Sequence, residues 1–294
     1  MGTLDAFLRE SGIRVLRDAP LGLRTTFRIG GPARALAMPA TVDELGALWR
    51  ACRETETPVR ILGSGANLLV RDRGFDGVVI HLGRLSAVSI RGEQVDAEAG
   101  ASFPKLVIST VQAGLEGLDG LAGIPASVGG AIFMNAGGRH GEIFDVVESV
   151  RTLDPGGKVV EQGRTEIPYG YRRSGLEGHV VLGGRFRLRP ADPRVVRERF
   201  EAVVRSKRAS QPMRERSAGC IFKNPPAMSA GRAIDESGFK GARVGDAVVS
   251  SKHANFIVNA GRASSEDVLA LIERVRDGVR ARLSIDLSME VLVW

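Results

Sequence analysis

Two glycine-rich loops in the first half of the chain constrain its fold more than any other feature. The first, Gly63 to Leu68, reads GSGANL and follows an apolar run that predicts a strand. The second, GIPASVGGAIFMNAGG at positions 123–138, shows no strong helix or strand periodicity. Small residues let backbone N–H groups approach an anion such as pyrophosphate, so the pair predicts a large phosphate-bearing ligand. A tight turn and a structural loop between domains are the alternatives.

The first loop fits neither of the common nucleotide-binding fingerprints. Leu68 stands where a dinucleotide fingerprint has its third glycine, and no helix pattern follows it. The loop also lacks the Gly-Lys-Ser/Thr ending of a Walker A motif. A Rossmann domain and a P-loop domain are therefore both disfavoured.

The length allows two domains or one elaborate domain, and the composition indicates a soluble globular protein. The chain has 294 residues, of which 43% are hydrophobic, and it contains only the cysteines Cys52 and Cys220. Two cysteines cannot form a disulfide framework, which favours a reducing compartment. The N-terminus carries acids where a secretory signal carries bases, and no apolar run approaches the roughly 18 residues of a membrane span. We therefore expect a cytoplasmic protein without membrane insertion.

The charge balance predicts anionic ligands. Forty-one Lys and Arg residues exceed 34 Asp and Glu residues, which gives a formal net charge of +7. Aromatic residues make up only 5% of the chain, and no zinc spacing or helix-turn-helix pattern accompanies the charge, so we expect no nucleic-acid partner. We also expect no metal site, because the histidines show no metal-ligand spacing. These histidines are His81, His140, His179 and His253.

Local signals place several elements in the first two thirds of the chain. Thr41 and Glu44 form a capping-box pattern that predicts a helix from about 42 to 55. Ser102 and Gly114 bracket a second helix. A hairpin is predicted around the turn 155–157, and it is followed by a strand in HVVLGGRFRLRP.

The last third predicts a second, smaller α+β domain. A basic amphipathic helix at about 192–210 leads into a strand in GCIFKN, a helix in SAGRAIDESG and a strand in NFIVNAG. A helix in SSEDVLALIERVRDGVRARL and a terminal strand in LSMEVLVW complete it.

Three side chains stand out as candidates for chemistry. Cys220 lies between Ser-Ala-Gly and Lys-Asn-Pro, so it is either a small core residue or a thiol that something approaches closely. Arg172, in YGYRRSG, either belongs to an exposed basic turn or holds a carboxylate or phosphate. Glu290, in a largely apolar terminal strand, either faces solvent by alternation or points into a site.

Seven segments in order carry a family resemblance. They are RTTFRIGGPA, ILGSGANLLV, GLAGIPASVGGAIFMNAG, YGYRRS, SAGCIFKNP, AIDESGFKGARVGDAVVSSKHANFIVN and MEVLVW. Together they closely resemble the UDP-N-acetylenolpyruvoylglucosamine reductases, flavoenzymes of bacterial peptidoglycan precursor synthesis. The resemblance runs from about Thr25 to the C-terminus.

The resemblance implies an α+β fold with two domains. An FAD-binding domain of the type found in vanillyl-alcohol oxidase and para-cresol methylhydroxylase would occupy residues 1–190, with its core at about 24–190. A smaller α+β substrate-binding domain would occupy 191–294. FAD is expected to bind noncovalently, because neither glycine-rich loop offers an obvious His or Cys tether. The FAD contacts implied by the resemblance are Gly63, Ser64, Gly65, Ala66, Asn67, Leu68, Gly123, Ile124, Pro125, Ala126, Ser127, Gly129, Gly130 and Ala131.

The resemblance also implies a reaction in two halves. NADPH reduces FAD, and the enolpyruvyl ether of UDP-N-acetylglucosamine then takes a hydride from flavin N5 to become UDP-N-acetylmuramate. Arg172 and Glu290 would stabilise the enol-like charge, and Cys220 would donate the proton. Tyr171, Lys223 and Asn224 match substrate-contacting positions.

Two departures from the family pattern qualify these implications. The family commonly carries Ser where this chain has Cys220, but a thiol is the stronger acid and can fill the same role. One branch closes its site with a loop that bears a Tyr, and no Tyr follows Tyr171 here, so the chain resembles the shorter type.

A flavin oxidase on the same scaffold and a basic nucleic-acid or scaffold protein are the rival functions. The sequence leaves the oligomeric state open and slightly favours a monomer.

Overall fold

The computed structural model describes residues 4–294 and shows an α+β protein. The helices are α1 (Leu4–Glu10), α2 (Val42–Glu54), α3 (Phe103–Gln112), α4 (Val128–Phe133), α5 (Pro193–Ser210), α6 (Ala230–Glu236) and α7 (Ser265–Leu283). The strands are β1 (Arg14–Pro20), β2 (Pro32–Met38), β3 (Val59–Leu62), β4 (Leu68–Leu69), β5 (Phe75–His81), β6 (Val88–Arg91), β7 (Gln94–Glu98), β8 (Leu115–Glu116), β9 (Gly137–Gly138), β10 (Gly141–Glu142), β11 (Val147–Leu153), β12 (Val159–Gly163), β13 (Val180–Arg187), β14 (Arg189–Pro190), β15 (Arg243–Val244), β16 (Ala247–Val249), β17 (Ile257–Asn259) and β18 (Leu292–Val293).

The chain forms two compact units, and each is assembled from separate stretches. Within the described residues, the first unit contains residues 4–17, 35–64 and 77–206. The second unit contains residues 18–34, 65–76 and 207–294. The predicted domains, 1–190 and 191–294, remain a prediction.

A five-stranded sheet in the order β12-β11-β13-β7-β6 forms the centre of the first unit. All its pairs are antiparallel, and α4 packs against β13. Gly184 in β13 leaves room for that helix, because a Cβ there would lie 2.7 Å from Cδ1 of Ile132. The buried core of this unit includes Phe103, Phe144 and Phe186.

Two helices of the first unit begin at the capping residues that the sequence predicts. The Thr41 side chain accepts a hydrogen bond from the Glu44 N–H at the start of α2, and the Glu44 carboxylate accepts one from the Ala40 N–H at 2.6 Å. Ser102 caps α3, which ends before Gly114 with φ +68°. The hairpin of β11 and β12 is also confirmed.

The second unit surrounds a smaller sheet and two helices. Its three-stranded sheet has the order β15-β16-β17, and its buried core includes Ile234 of α6 and Leu271 of α7. Ser264 and Asp267 form a capping box at the start of α7. In the same unit, β18 pairs in parallel with β4, which places Leu292 beside Leu68.

Three expectations from the sequence are wrong in extent. GCIFKN is not a regular strand but an extended segment with a single bridge from Phe222 to Met289, and the terminal strand is regular only over Leu292–Val293. The second glycine-rich loop contains a helix, α4. Six residues are too few for a periodic pattern to be visible in a sequence.

Among the helices between residues 4 and 294, none combines the length and apolar composition that spanning a bilayer requires.

A pair of glycine substitutions in the second unit tests the close backbone approach of the first loop. Gly65 has φ +63°, and a Cβ there would lie 2.2 Å from the Arg24 carbonyl oxygen; Gly241 has φ +77° with no heavy atom within 4 Å of its Cβ position. Gly241→Ala should therefore cost about 1–2 kcal/mol of backbone strain. Gly65→Ala should cost about 1–3 kcal/mol more, because its methyl group also overlaps backbone. Urea unfolding measures both, and equal losses would mean that the approach is not tight.

Candidate functional site

In the first unit, the start of the first glycine-rich loop lies directly against the second loop. A Cβ on Gly63 would lie 2.4 Å from Oγ of Ser127, so a side chain at this position would collide with the second loop. The Ser64 hydroxyl donates a hydrogen bond to the Pro125 carbonyl oxygen at 2.8 Å. Ser127 caps α4 by accepting a hydrogen bond from the Gly130 N–H at 3.2 Å. The two segments that the sequence singled out are therefore neighbours.

The second loop uses much of its own backbone to stabilise the protein. The N–H groups of Val128 and Gly129 donate to the carbonyl oxygens of Ala101 and Ala99. By contrast, the N–H groups of Gly123 and Ser127 donate no hydrogen bond to any other residue in the described part of the chain. These two groups are therefore available to an anionic ligand.

In the second unit, the first loop continues as a turn with unused backbone donors. The N–H groups of Gly65, Ala66 and Asn67 donate to no other residue between positions 4 and 294. The Gly65 carbonyl oxygen, in contrast, accepts hydrogen bonds from the N–H and the hydroxyl of Thr26 at 3.1 and 3.3 Å. Successive unsatisfied N–H groups in a turn with a positive φ are typical of a phosphate-binding backbone. The turn therefore has the donors that a dinucleotide diphosphate requires.

Cys220 and Glu290 lie on adjacent segments of the second unit. The N–H groups of Glu290 and Val291 both donate to the carbonyl oxygen of Ile221, at 2.8 and 3.3 Å. Lys223 extends the contact, because its N–H donates to the Ser288 carbonyl oxygen at 2.8 Å. Both Cys220 and Glu290 are half-buried. The thiol and the carboxylate are thus attached to backbone that is fixed on both sides.

Asn255 fixes the segment after Cys220, and the sequence analysis missed it. Its side-chain oxygen accepts from the Phe222 N–H at 2.9 Å, and its amide nitrogen donates to the Phe222 carbonyl oxygen at 2.8 Å. The Asn255 carbonyl oxygen also accepts from the Ile221 N–H at 2.8 Å. A buried Asn that satisfies both polar groups of another residue replaces a strand pairing. In the sequence, a polar Asn inside the apolar stretch HANFIV was the feature that could have indicated this buried role.

Asn67 connects the first glycine-rich loop to Glu290 within the second unit. Its amide donates to the Glu290 carbonyl oxygen at 3.1 Å, while its own carbonyl oxygen accepts from the Leu292 N–H at 3.1 Å. The side chain of Asn67 therefore holds the extended segment that carries Glu290, and the backbone N–H of Asn67 remains available to a ligand.

Arg172 belongs to the first unit and occupies a two-residue turn. Gly170 and Arg173 exchange both backbone hydrogen bonds, at 3.0 and 3.1 Å, so Tyr171 and Arg172 form the tip. Arg172 has φ +56°, a left-handed conformation that costs a non-glycine residue energy and is common at functional sites. Its Nη2 donates to the Gly137 carbonyl oxygen at 2.8 Å, and its guanidinium lies 4.8 Å from the Tyr171 ring centroid.

The residues predicted to contact substrate differ in their exposure and in the contacts that they make within the protein. Tyr171 is 44% exposed. Asn224 accepts a hydrogen bond at its Oδ1 from the Ala230 N–H at 3.0 Å, so that oxygen orients the start of α6. Lys223 is half-buried. Among residues 4–294, no group of three or more His, Cys, Asp or Glu side chains is arranged to hold a metal ion.

Comparison with known proteins identifies the relatives of this chain. A family model described as UDP-N-acetylenolpyruvoylglucosamine reductase, C-terminal domain, matches residues 211–294, and one described as FAD binding domain matches residues 33–163. The UDP-N-acetylenolpyruvoylglucosamine reductase of Moorella thermoacetica is 43% identical over 283 residues, which cover 96% of this chain and 94% of the relative. The chain belongs to the UDP-N-acetylenolpyruvoylglucosamine reductase family. The family member from Geobacter metallireducens is also 43% identical, over 95% of this chain and 93% of the relative.

Solved structures agree with this family and with its fold. The UDP-N-acetylenolpyruvylglucosamine reductase of Thermus caldophilus is 42% identical, with a TM-score of 0.83, and the match covers 96% of this chain and 98% of that one. Berberine bridge enzyme from Eschscholzia californica is 19% identical with a TM-score of 0.51, over 65% of this chain and 44% of that one, which is a likeness of fold alone. The expected fold class is confirmed. The protein is an FAD-dependent oxidoreductase, and the unused N–H groups of Gly65, Ala66 and Asn67 fit that cofactor.

His253 makes the stability of the second unit depend on pH. Burial, followed by the charge of Lys240, lowers the pKa of His253 below its ordinary value, and its Nδ1 accepts a hydrogen bond from the Asn255 N–H at 3.3 Å. The unfolded chain therefore binds this proton more readily than the folded one, and the free energy of unfolding falls as the pH drops below about 6.5.

We expect His253→Gln to remove part of this pH dependence between pH 7.5 and pH 5.5, measured by urea unfolding. His140→Gln, at an exposed histidine of the first unit, is the matched control for the loss of an imidazole. A His253→Gln protein with the slope of the parent would show that another group is responsible.

Proposed function

We propose that this protein reduces the enolpyruvyl ether of UDP-N-acetylglucosamine to UDP-N-acetylmuramate, a precursor of peptidoglycan, with NADPH as the reductant. The observation that carries the proposal is the hydrogen bonding of the segment after Cys220 to the backbone of Glu290 and Val291, inside the region that matches the family's C-terminal domain. The names and the coverage of the relatives support the substrate. A nucleotide-sugar substrate and NADPH agree with a cytoplasmic location.

We propose that the two glycine-rich loops hold FAD through backbone donors. In the second unit, the unused N–H groups of Gly65, Ala66 and Asn67 are suited to the diphosphate, and in the first unit those of Gly123 and Ser127 are suited to an anionic or polar group of the cofactor. The remaining proposed contacts, through backbone or side chain, are Gly63, Ser64, Leu68, Ile124, Pro125, Ala126, Gly129, Gly130 and Ala131. The chemistry that bound FAD supplies is storage of a hydride from NADPH until the substrate accepts it.

The chain's own residues then have distinct roles in the reduction. The carbon–carbon double bond of the enolpyruvyl group gains a hydride at its terminal carbon, and negative charge develops on the neighbouring carbon and its carboxylate. Arg172 and Glu290 orient and stabilise this enol-like group. The Cys220 thiol donates the proton to the neighbouring carbon, which completes the lactyl ether. Tyr171, Lys223 and Asn224 contact the substrate.

The roles of Arg172 and Glu290 predict an effect confined to one half of the reaction. Arg172→Ala and Glu290→Gln should slow flavin reoxidation by the enolpyruvyl nucleotide about 10²- to 10³-fold, because both residues act on charge that develops only in that step. Flavin reduction by NADPH should change little. Rapid-mixing absorbance of the flavin separates the two halves.

A parent protein that does not oxidise NADPH in response to the enolpyruvyl nucleotide would contradict the proposed activity. Fast reoxidation by oxygen, with no response to the nucleotide, would instead favour an oxidase. Equal slowing of both halves in the variants would assign Arg172 and Glu290 a structural role.

Three substitutions of Cys220 separate a proton donor from a packing residue. If the thiol donates the proton, Cys220→Ser should retain substantial activity, while Cys220→Ala and Cys220→Val should lose about 10²- to 10⁴-fold in reoxidation. Reduction by NADPH should persist in all three. A thiol deprotonates in the alkaline range and a hydroxyl does not, so the alkaline loss of reoxidation should shift upward or vanish in Cys220→Ser.

Cys52 provides an internal control for this series. Burial raises the pKa of the Cys52 thiol to about 11, so thiol reagents at neutral pH should spare it. We expect alkylation to inactivate the parent but not Cys220→Ser, and substrate to protect the parent. A Cys220→Ala protein with parental reoxidation rates would contradict the donor role and favour packing.

A further inference from the structure

Asn135 joins three segments of the first unit at the end of the second glycine-rich loop. It is fully buried and has φ +41°, a conformation that Asn tolerates better than most residues. Its amide nitrogen donates to Oε2 of Glu142 at 2.7 Å and to the Gly170 carbonyl oxygen at 3.0 Å. Its side-chain oxygen accepts from the Phe144 N–H at 3.4 Å. Both amide protons are thus used, one on a carboxylate and one on the turn that carries Arg172.

Glu142 points its second carboxylate oxygen towards Arg172. Oε1 of Glu142 lies 4.0 Å from Nη1 of Arg172, and the two side chains are 32% and 15% exposed. Glu142 also pairs with Gly137 between β10 and β9, and the Gly137 carbonyl oxygen is the acceptor for Nη2 of Arg172 at 2.8 Å. A Cβ on Gly137 would lie 2.7 Å from Cγ of Glu142. The path of the Glu142 side chain is therefore confined.

The Gly137 carbonyl oxygen accepts a hydrogen bond from Nη2, and the Glu142 carboxylate lies 4.0 Å from Nη1, within the range of an ion pair. A long Arg side chain carries about 2 kcal/mol of rotamer entropy, and a partner of opposite charge reduces its freedom before any ligand binds. A guanidinium whose direction is already set meets a carboxylate without reorganising, which is the condition for stabilising charge as it develops. Glu142 supplies this restraint on the Nη1 side.

We propose that Glu142, oriented by Asn135, is the positioning residue for Arg172 and sets the direction in which Arg172 meets the substrate carboxylate. The inference rests on the proposed function, because it assigns a purpose to Arg172. Glu142 acts through Arg172 and not on the substrate, so its removal should have no effect once Arg172 is gone.

The substitution Glu142→Gln isolates the charge of the side chain from its other contacts. Gln retains an oxygen that can accept the hydrogen bond from Asn135, and the backbone N–H of residue 142 still donates to Oδ2 of Asp145. The negative charge facing Nη1 is lost, and an uncharged NH₂ group takes the place of Oε1. Glu148→Gln is the matched control, because Glu148 forms an ion pair with Arg187 at 3.0 Å in the same unit and is 41% exposed.

The test is a double-mutant cycle with the FAD-loaded protein, read by rapid-mixing absorbance with NADPH and then with the enolpyruvyl nucleotide. Glu142→Gln should slow flavin reoxidation about 10- to 100-fold at saturating nucleotide, the scale expected when a catalytic group is displaced. Flavin reduction and the melting temperature should stay near the parental values, and Glu148→Gln should change neither half. In an Arg172→Ala background, Glu142→Gln should cause no further slowing.

The cycle separates failure of this inference from failure of the proposed function. If Arg172→Ala leaves reoxidation unchanged, the role of Arg172 and this inference are both overturned. If Arg172→Ala slows reoxidation but Glu142→Gln does not, only the positioning role is overturned. The same holds if the slowing in the double variant is the product of the slowing in the two single variants. If Glu142→Gln loses flavin, Glu142→Asp replaces it in the same cycle. Glu142→Asp keeps the charge but moves it away from Arg172 by one methylene. The same reoxidation rates then decide whether Glu142 positions Arg172.

Discussion

The contact between backbone at Gly63 and the side chain of Ser127 is the constraint on which the first unit depends. With 2.4 Å between the Gly63 Cβ position and the serine oxygen, any other residue at position 63 would displace the Ser127 hydroxyl from its capping position. Ser127 in turn starts α4, and α4 packs on the glycine-containing strand β13. From the first loop to the central sheet, successive contacts therefore involve residues whose side chains are absent or small. Close packing of backbone explains these glycines as directly as ligand binding does.

In the second unit, two side-chain amides replace regular strand pairing. Asn255 satisfies both backbone groups of Phe222, and Asn67 holds the Glu290 carbonyl oxygen. Because a buried polar group without a partner costs about 1–3 kcal/mol, each amide fixes the segment it binds. The segments that carry the proposed proton donor and carboxylate are irregular, yet they are as firmly bonded as strands.

The sequence predicted those features whose physical cause is local. Thr41 and Ser102 cap helices within four residues of their own position, and the turn at 155–157 joins adjacent strands, so each signal was visible in a short window. The extended form of GCIFKN was not predictable, because its hydrogen bonds come from Asn255 and from residues 288–291. Glu142 was missed for the same reason. Its partners, Asn135 and Arg172, become its neighbours only after the turn and the loop have formed.

The second unit combines hydrogen-bond partners that are far apart along the chain. Asn259 bonds to the Phe27 carbonyl oxygen across 232 residues, and Asn67 bonds to Glu290 across 223. Closing such loops costs only about 0.6 kcal/mol for each doubling of length, but pairing over long separations is slow. The five-stranded sheet lies entirely within residues 88–187 and can form early during synthesis. The turn at Gly65 leads into β4, whose partner β18 is the last strand of the chain, so this turn acquires its neighbouring strand only after residues 292–293 have been made.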